Sequence, residues 1–208
     1  MSTKFIFNFF KIAVTVLFYF LIIITLFVLF FSVMNIIGSN KHATSKLEIN
    51  AFTYDLLAVD IKKSEPAVYT ADSLMSYQPI NNKYTLKVEP ASNMGYYLLF
   101  MKMMLLSIGI AILWNFKKIF GEITLAQPFK NTITRKLKII AALFIIADVL
   151  RIIDYLIFNS FLHNNIPSPR FELLTTVGGE IINGLIIWIV AVIYERGTTL
   201  QEEAALTV

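Results

Sequence analysis

Long apolar runs alternate along this chain with short charged stretches, and the runs have the length of a lipid bilayer. A helix needs about 20 mostly apolar residues to cross roughly 30 Å of hydrocarbon. The first run, Ile12 to Ile37, contains no charge. It is longer than the roughly 7–15-residue apolar core of a cleaved signal peptide and lacks a small-residue cleavage site of the expected form, which predicts an uncleaved signal anchor. The second run is Tyr96 to Phe116, interrupted by Lys102. The third is Ile139 to Phe158, interrupted by Asp148, Arg151 and Asp154. The fourth is Leu173 to Tyr194, with Glu180 near its start and Gly178, Gly179 and Gly184 within it, glycines of the kind that allow close helix approach. The pattern predicts a mainly α, integral membrane protein: a four-helix transmembrane bundle with spans 12–37, 96–116, 139–158 and 173–194.

Between the first two spans lies 38–95, too long for a simple connector. Residues 47–54 and 84–89 alternate in part between apolar and polar, as half-buried strands do. Asn81-Asn82 is suited to turning the chain. This segment predicts a small β-rich extracytoplasmic cap of two to four strands. A lone hairpin is marginal in water, so the cap must lean on the bundle or on a partner.

Composition agrees. The 208 residues are 57% hydrophobic and only 15% charged, against about a quarter charged in soluble domains. There is no cysteine, which excludes disulfides, thiolate zinc sites, a cysteine nucleophile and a lipoprotein anchor. The net charge of +4 matters less than its placement. Lys117, Lys118, Lys130, Arg135, Lys136 and Lys138 fall in 117–138 beside one acid, Glu122, whereas 159–172 holds a single basic residue, Arg170. The first loop balances six lysines with six acids. Lys4 and Lys11 precede span one. Positive residues stay in the cytoplasm, so residues 1–11, the basic loop 117–138 and the tail 195–208 are expected there. Ile119, Phe120, Ile123, Leu125 and Phe129 interleave with the lysines and predict a surface-lying segment drawn to anionic lipid. The bland alternative is a topogenic positive patch.

Ionisable residues inside spans are costly and mark candidate sites. Asp148, Arg151 and Asp154 are spaced by three, near one helix face, with Tyr155 beside them. Lys102 and Glu180 are expected to join them in the outer half of the bundle. The cluster Lys102, Asp148, Arg151, Asp154 and Glu180 reads either as an ion-pair network that fixes helix register or as a polar cavity for an ion, a proton or a small ligand.

Catalytic signatures are missing. The sequence has no metal-binding helix motif, phosphate-binding glycine loop, nucleophile elbow or dinucleotide fingerprint. His42 and His163 fall in expected external loops without spaced partners. Ser107, the one serine of span two, has no histidine near it in sequence, and Asp148 and Asp154 share a helix. The expectation is a non-enzyme with no cofactor and no metal.

Gly121 to Ile140 contains Pro128-Phe129, a gap, then Arg135-Lys136-Leu137-Lys138-Ile139-Ile140. The chain ends with Gly197, Leu200-Gln201-Glu202-Glu203 and Leu206-Thr207-Val208. From span two onward it resembles the bacterial membrane proteins called domain of unknown function 2975. The tail is the more specific likeness. Ala204-Ala205 departs from the asparagine or aspartate usual there. The resemblance covers a little over half the chain and implies a four-span bacterial inner-membrane protein. It also implies a partner, since such proteins are often encoded beside a small helix-turn-helix regulator; the family supplies no catalytic residues.

The leading expectation is therefore a non-enzymatic membrane sensor or regulator. Its cytoplasmic contacts, to lipid or to a DNA-binding regulator, would be Lys117, Lys118, Lys130, Arg135, Lys136, Lys138, Gln201, Glu202 and Glu203. The alternatives are a small transporter or immunity protein using the polar cluster, and a structural subunit of a larger membrane complex. The bilayer and a second copy of the chain are further expected partners; direct nucleic-acid contact is not expected.

Overall fold

The computed structural model describes residues 3–39, 52–58, 68–69, 76–77, 83–123, 130–166, 170–173, 175 and 177–206. Along the chain run α1 (Thr3–Ser39), β1 (Phe52–Ala58), β2 (Val68–Tyr69), β3 (Ser76–Tyr77), β4 (Lys83–Val88), α2 (Asn93–Glu122), α3 (Asn131–Asn165), β5 (Phe171–Leu173) and α4 (Gly179–Leu206). Asn81-Asn82, the expected turn, lies outside the described residues, as does His42.

Two compact units divide the chain. The helical unit holds Met1–Met34, Tyr97–Ile152 and Val177–Val208. The sheet unit holds Asn35–Tyr96 and Ile153–Thr176.

Phe7–Gly38, Asn93–Glu122 and Gly179–Ala204 are long and apolar enough to cross a membrane. Their outward faces are bare. Ile12, Phe20, Leu26, Phe30, Ile182, Ile189 and Ile193 are each more than half exposed. Such faces are unfavourable in water and ordinary against lipid tails. Polar side chains on these helices bond backward within the helix. Thr15, Thr25, Ser107 and Asn115 each donate to the carbonyl one turn earlier, at 2.8 Å. A hydrocarbon solvent demands this, because it offers no partner of its own. The fourth helix, α3, spans 35 residues, about 52 Å at 1.5 Å per residue. It carries Asp148, Arg151 and Asp154, and on apolar composition it stands apart from the other three.

Side chains of α2, α3 and α4 form one core. Ile119, Ile133 and Ile140 are buried, and Phe116, Leu137, Phe144, Ile187 and Tyr194 pack on them. Helix α1 meets α2 through Phe18 on Trp114, with ring centroids 5.4 Å apart, and Phe7 on Phe120 at 5.8 Å. Helices α3 and α4 approach closely at Gly184. A Cβ there would stand 2.9 Å from the Ala141 carbonyl oxygen and 2.9 Å from Ile145 Cγ1. A backbone oxygen yields little, so Gly184→Ala should cost about 1–3 kcal/mol, read as a lower melting temperature in detergent. Gly178 and Gly179 have open space where a Cβ would sit, so close approach explains one of the three glycines.

In the sheet unit, β1 is central in the order β4-β1-β5, antiparallel to both neighbours. Tyr54 pairs with Leu86, and Leu56 pairs with both Tyr84 and Leu173. Alternation sends Leu56, Ala58 and Val88 into the core, and leaves Asp55, Lys83, Thr85 and Lys87 on the solvent face. The C-terminal end of α3 supports the sheet. Phe158 and Leu162 are buried, the Phe158 ring lies 5.3 Å from that of Tyr54, and the Leu173 N–H donates to Asn159 Oδ1 at 3.0 Å. After β4, Ser92 caps α2: its hydroxyl accepts from the Gly95 N–H at 3.0 Å.

Several sequence expectations need correction. The fourth run does not begin as helix at Leu173, because Phe171–Leu173 is strand β5 and α4 starts at Gly179. The stretch 117–138 is not a single surface-lying segment: α2 runs on to Glu122, and α3 begins at Asn131. Its remaining residues 124–129 lie outside those described. His163 sits in the last turn of α3, and the tail continues α4 as helix to Leu206.

Candidate functional site

Asp148 and Arg151 of α3 converge on the first turn of α4. Every helix starts with amide donors that have no intrahelical partner. Usually a Ser, Thr, Asp or Asn at the cap supplies an acceptor. Here the cap position is Gly178, which has no side chain. Its φ of 98° lies in the left-handed region, a conformation that glycine adopts without strain. The acceptor comes instead from another helix. Asp148, with no exposed surface, receives the Gly178 N–H on Oδ2 at 2.7 Å and the Ile181 N–H on the same oxygen at 3.2 Å. A carboxylate at this end also meets the positive pole of the helix dipole.

One turn further along α3, Arg151 ties the assembly together. Its Nη1 donates to Glu180 Oε1 at 3.2 Å and stands 4.0 Å from Asp148 Oδ1. Asn183 donates to the other Glu180 oxygen at 3.4 Å. Among the described residues Asp148 Oδ1 itself has no hydrogen-bond donor. The arrangement fixes the start of α4 to the middle of α3, with a guanidinium bridging two carboxylates.

Three of the five cluster residues therefore meet: Asp148, Arg151 and Glu180. Lys102 does not join them. It is exposed on α2 and makes no ion pair among the described residues. The fifth is Asp154. It belongs to the sheet unit, where its charge acts on Tyr54. Burial first, and then the Asp154 carboxylate, push the Tyr54 hydroxyl above the ordinary tyrosine value.

At the opposite end of the helical unit the basic residues are largely engaged within the protein. Lys136 pairs with Glu122, and Lys130 donates to the Glu122 backbone carbonyl at 3.3 Å. Lys138 pairs with Glu195 at 2.9 Å, and Asn131 donates to Glu202 at 3.4 Å. Lys117 donates to the Tyr19 hydroxyl at 3.1 Å and lies over the Tyr19 and Phe18 rings at 4.5 and 5.0 Å. Lys118 sits 4.9 Å from the Trp114 ring. Lysines over aromatic rings at one level are the side-chain mixture of a membrane–water boundary. Arg135, Gln201 and Glu203 are exposed.

Asp148, Arg151 and Glu180 stand out in the sequence as charges within apolar runs, whereas the partners of Asp148 are backbone amides, which no residue pattern marks directly. The nearest signal is Gly178-Gly179-Glu180 just ahead of an apolar run. Among the described residues no group of three or more His, Asp or Glu side chains is placed to hold a metal ion.

No curated protein and no solved structure matches the chain significantly. Residues 80–208 match the family described as Protein of unknown function (DUF2975). That stretch contains β4, α2, α3, β5 and α4, and with them both Asp148 and the α4 turn it caps. The chain belongs to the DUF2975 family.

Proposed function

We propose that this protein is a non-enzymatic sensor or regulator of the bacterial inner membrane, crossing it four times with both termini in the cytoplasm and passing an envelope signal to a small helix-turn-helix transcription factor. The observation that carries this reading is the continuity of α3. Its residues up to Ile152 belong to the helical unit and those from Ile153 to the sheet unit. A single helix thus bears the residues that hold the sheet, the carboxylate that caps α4, and the lysines that pair with α2 and α4.

Counting α3 as the fourth crossing is supported by the pairing of its charges. Asp148 and Arg151 are occupied by the α4 amides and Glu180. Paired charges turned away from lipid are the form in which spans tolerate them. Orientation is supported by the lysines and Arg135 near the adjoining ends of α2 and α3. A sensor needs two arrangements with different affinity for its signal, and the Asp148 cap, made or broken, is the element that offers them.

The test is affinity capture of the tagged full-length protein from native membranes, with transcript profiling of a deletion strain. The expected result is a small DNA-binding protein in the eluate and a confined set of changed transcripts. An eluate without one, together with unchanged transcripts, would retire the regulator reading.

A further inference from the structure

Among the described residues, β4 pairs on one side only, with β1. Beside it lies a cavity of about 340 Å³ whose lining includes Leu86, Lys87, Val88 and Glu89, with Met94 and Leu162. Side chains of a strand alternate between faces, so a cavity over one face touches every second residue. This cavity touches four in succession, so it follows the edge of the strand and the chain just beyond it. Val88, Met94 and Leu162 give it a buried apolar wall.

We propose that the free edge of β4 receives an extended peptide as an added strand, with apolar side chains alternating with acidic ones. The apolar residues fall on the side of Leu86 and Val88, toward the cavity. The alternate residues fall on the side of Lys83 and Lys87. Both lysines are exposed, and neither makes an ion pair among the described residues. Opposite charges on neighbouring strands attract and like charges repel, which selects aspartate or glutamate at those positions. Edge lysines commonly guard against unwanted pairing. Here they discriminate, rejecting basic strands and admitting acidic ones.

The same charges disfavour a second copy of this chain. Antiparallel pairing of two β4 strands centred on Thr85 would set Lys83 against Lys87 twice. A lipid tail would fill the apolar wall and leave the edge amides and carbonyls without partners, whereas an added strand uses both. The proposal supplies the chemical class of the signal for the sensor described above, and it rests on that reading for the side of the membrane on which the peptide arrives.

The experiment uses the full-length protein in nanodiscs and three labelled probes: a heptapeptide alternating aspartate and valine, its lysine–valine counterpart, and dodecanoate. The acidic peptide should bind saturably, about tenfold tighter than the basic one. Lys83→Glu combined with Lys87→Glu should reverse that preference without changing the melting temperature, since both side chains are exposed. Equal binding of the two peptides, an unchanged preference in the double variant, binding of dodecanoate alone, or no binding at all would overturn the proposal. Peptide binding without a transcript response would leave this site standing and remove the regulator reading; a transcript response without peptide binding would do the reverse.

Discussion

Asp148→Ala should lower the melting temperature of the detergent-solubilised protein by about 10 °C, the equivalent of roughly 3–5 kcal/mol in a chain of this size. Three losses combine. The Gly178 and Ile181 amides lose their acceptor in a place where water does not reach Asp148. The positive pole of α4 loses its counter-charge. Arg151 keeps Glu180 but loses the second carboxylate 4.0 Å away. Asp148→Asn separates these effects. It retains an oxygen for the two amides and removes only the charge, so it should fall about midway between wild type and alanine. A ligand site predicts the opposite ranking: both variants would melt normally and lose a response. Melting of the purified protein, monitored by size-exclusion fluorescence, decides between them without any knowledge of a ligand.

The sequence reveals the features that lipid imposes and hides those that neighbours impose. Helices α1, α2 and α4 were legible because a bilayer demands long apolar runs, and Ile12 to Ile37 carries no charge to interrupt its run. Helix α3 was legible despite its charges, because Asp148, Arg151 and Asp154 recur at helical spacing. The helix ends were not legible. Lys117–Glu122 and Asn131–Lys138 look like loop, and they continue as helix where Glu122 and Glu195 pair with Lys136 and Lys138. Those pairs join residues 14 and 57 positions apart, beyond any local pattern. Strand β5 was missed for a similar reason. Leu173 looks like the start of an apolar run, and its partner Leu56 lies on a strand far earlier in the chain. Lys102 shows the converse failure. One lysine in an apolar run does not disclose its face, and its long stem lets the charge leave hydrocarbon without a partner.

Phe158→Ala should cost about 3–5 kcal/mol, and the loss should be confined to the sheet unit. Phe158 has no exposed surface, and its ring stacks at an angle on Tyr54 of β1. Removing it opens a cavity under the strand that both other strands of the sheet pair with. Hydrogen exchange of the full-length protein locates the effect. Amides of β1, β4 and β5 should lose protection, while those around Ile119, Ile133 and Ile140 keep theirs, because the core of α2, α3 and α4 shares no residue with the sheet. Asn159→Ala, one residue along, removes a single hydrogen bond to Leu173 and should loosen β5 by a smaller amount, about 1–3 kcal/mol. The contrast bears on signalling. A sheet that melts alone is a separable input, and Phe158→Ala should then hold the transcript output at one level although the protein remains in the membrane. Exchange that rises equally through α2, α3 and α4 would mean that helices and sheet unfold as one block. The α3 helix would then be a scaffold shared by both units, and the sheet would have no independent state to report.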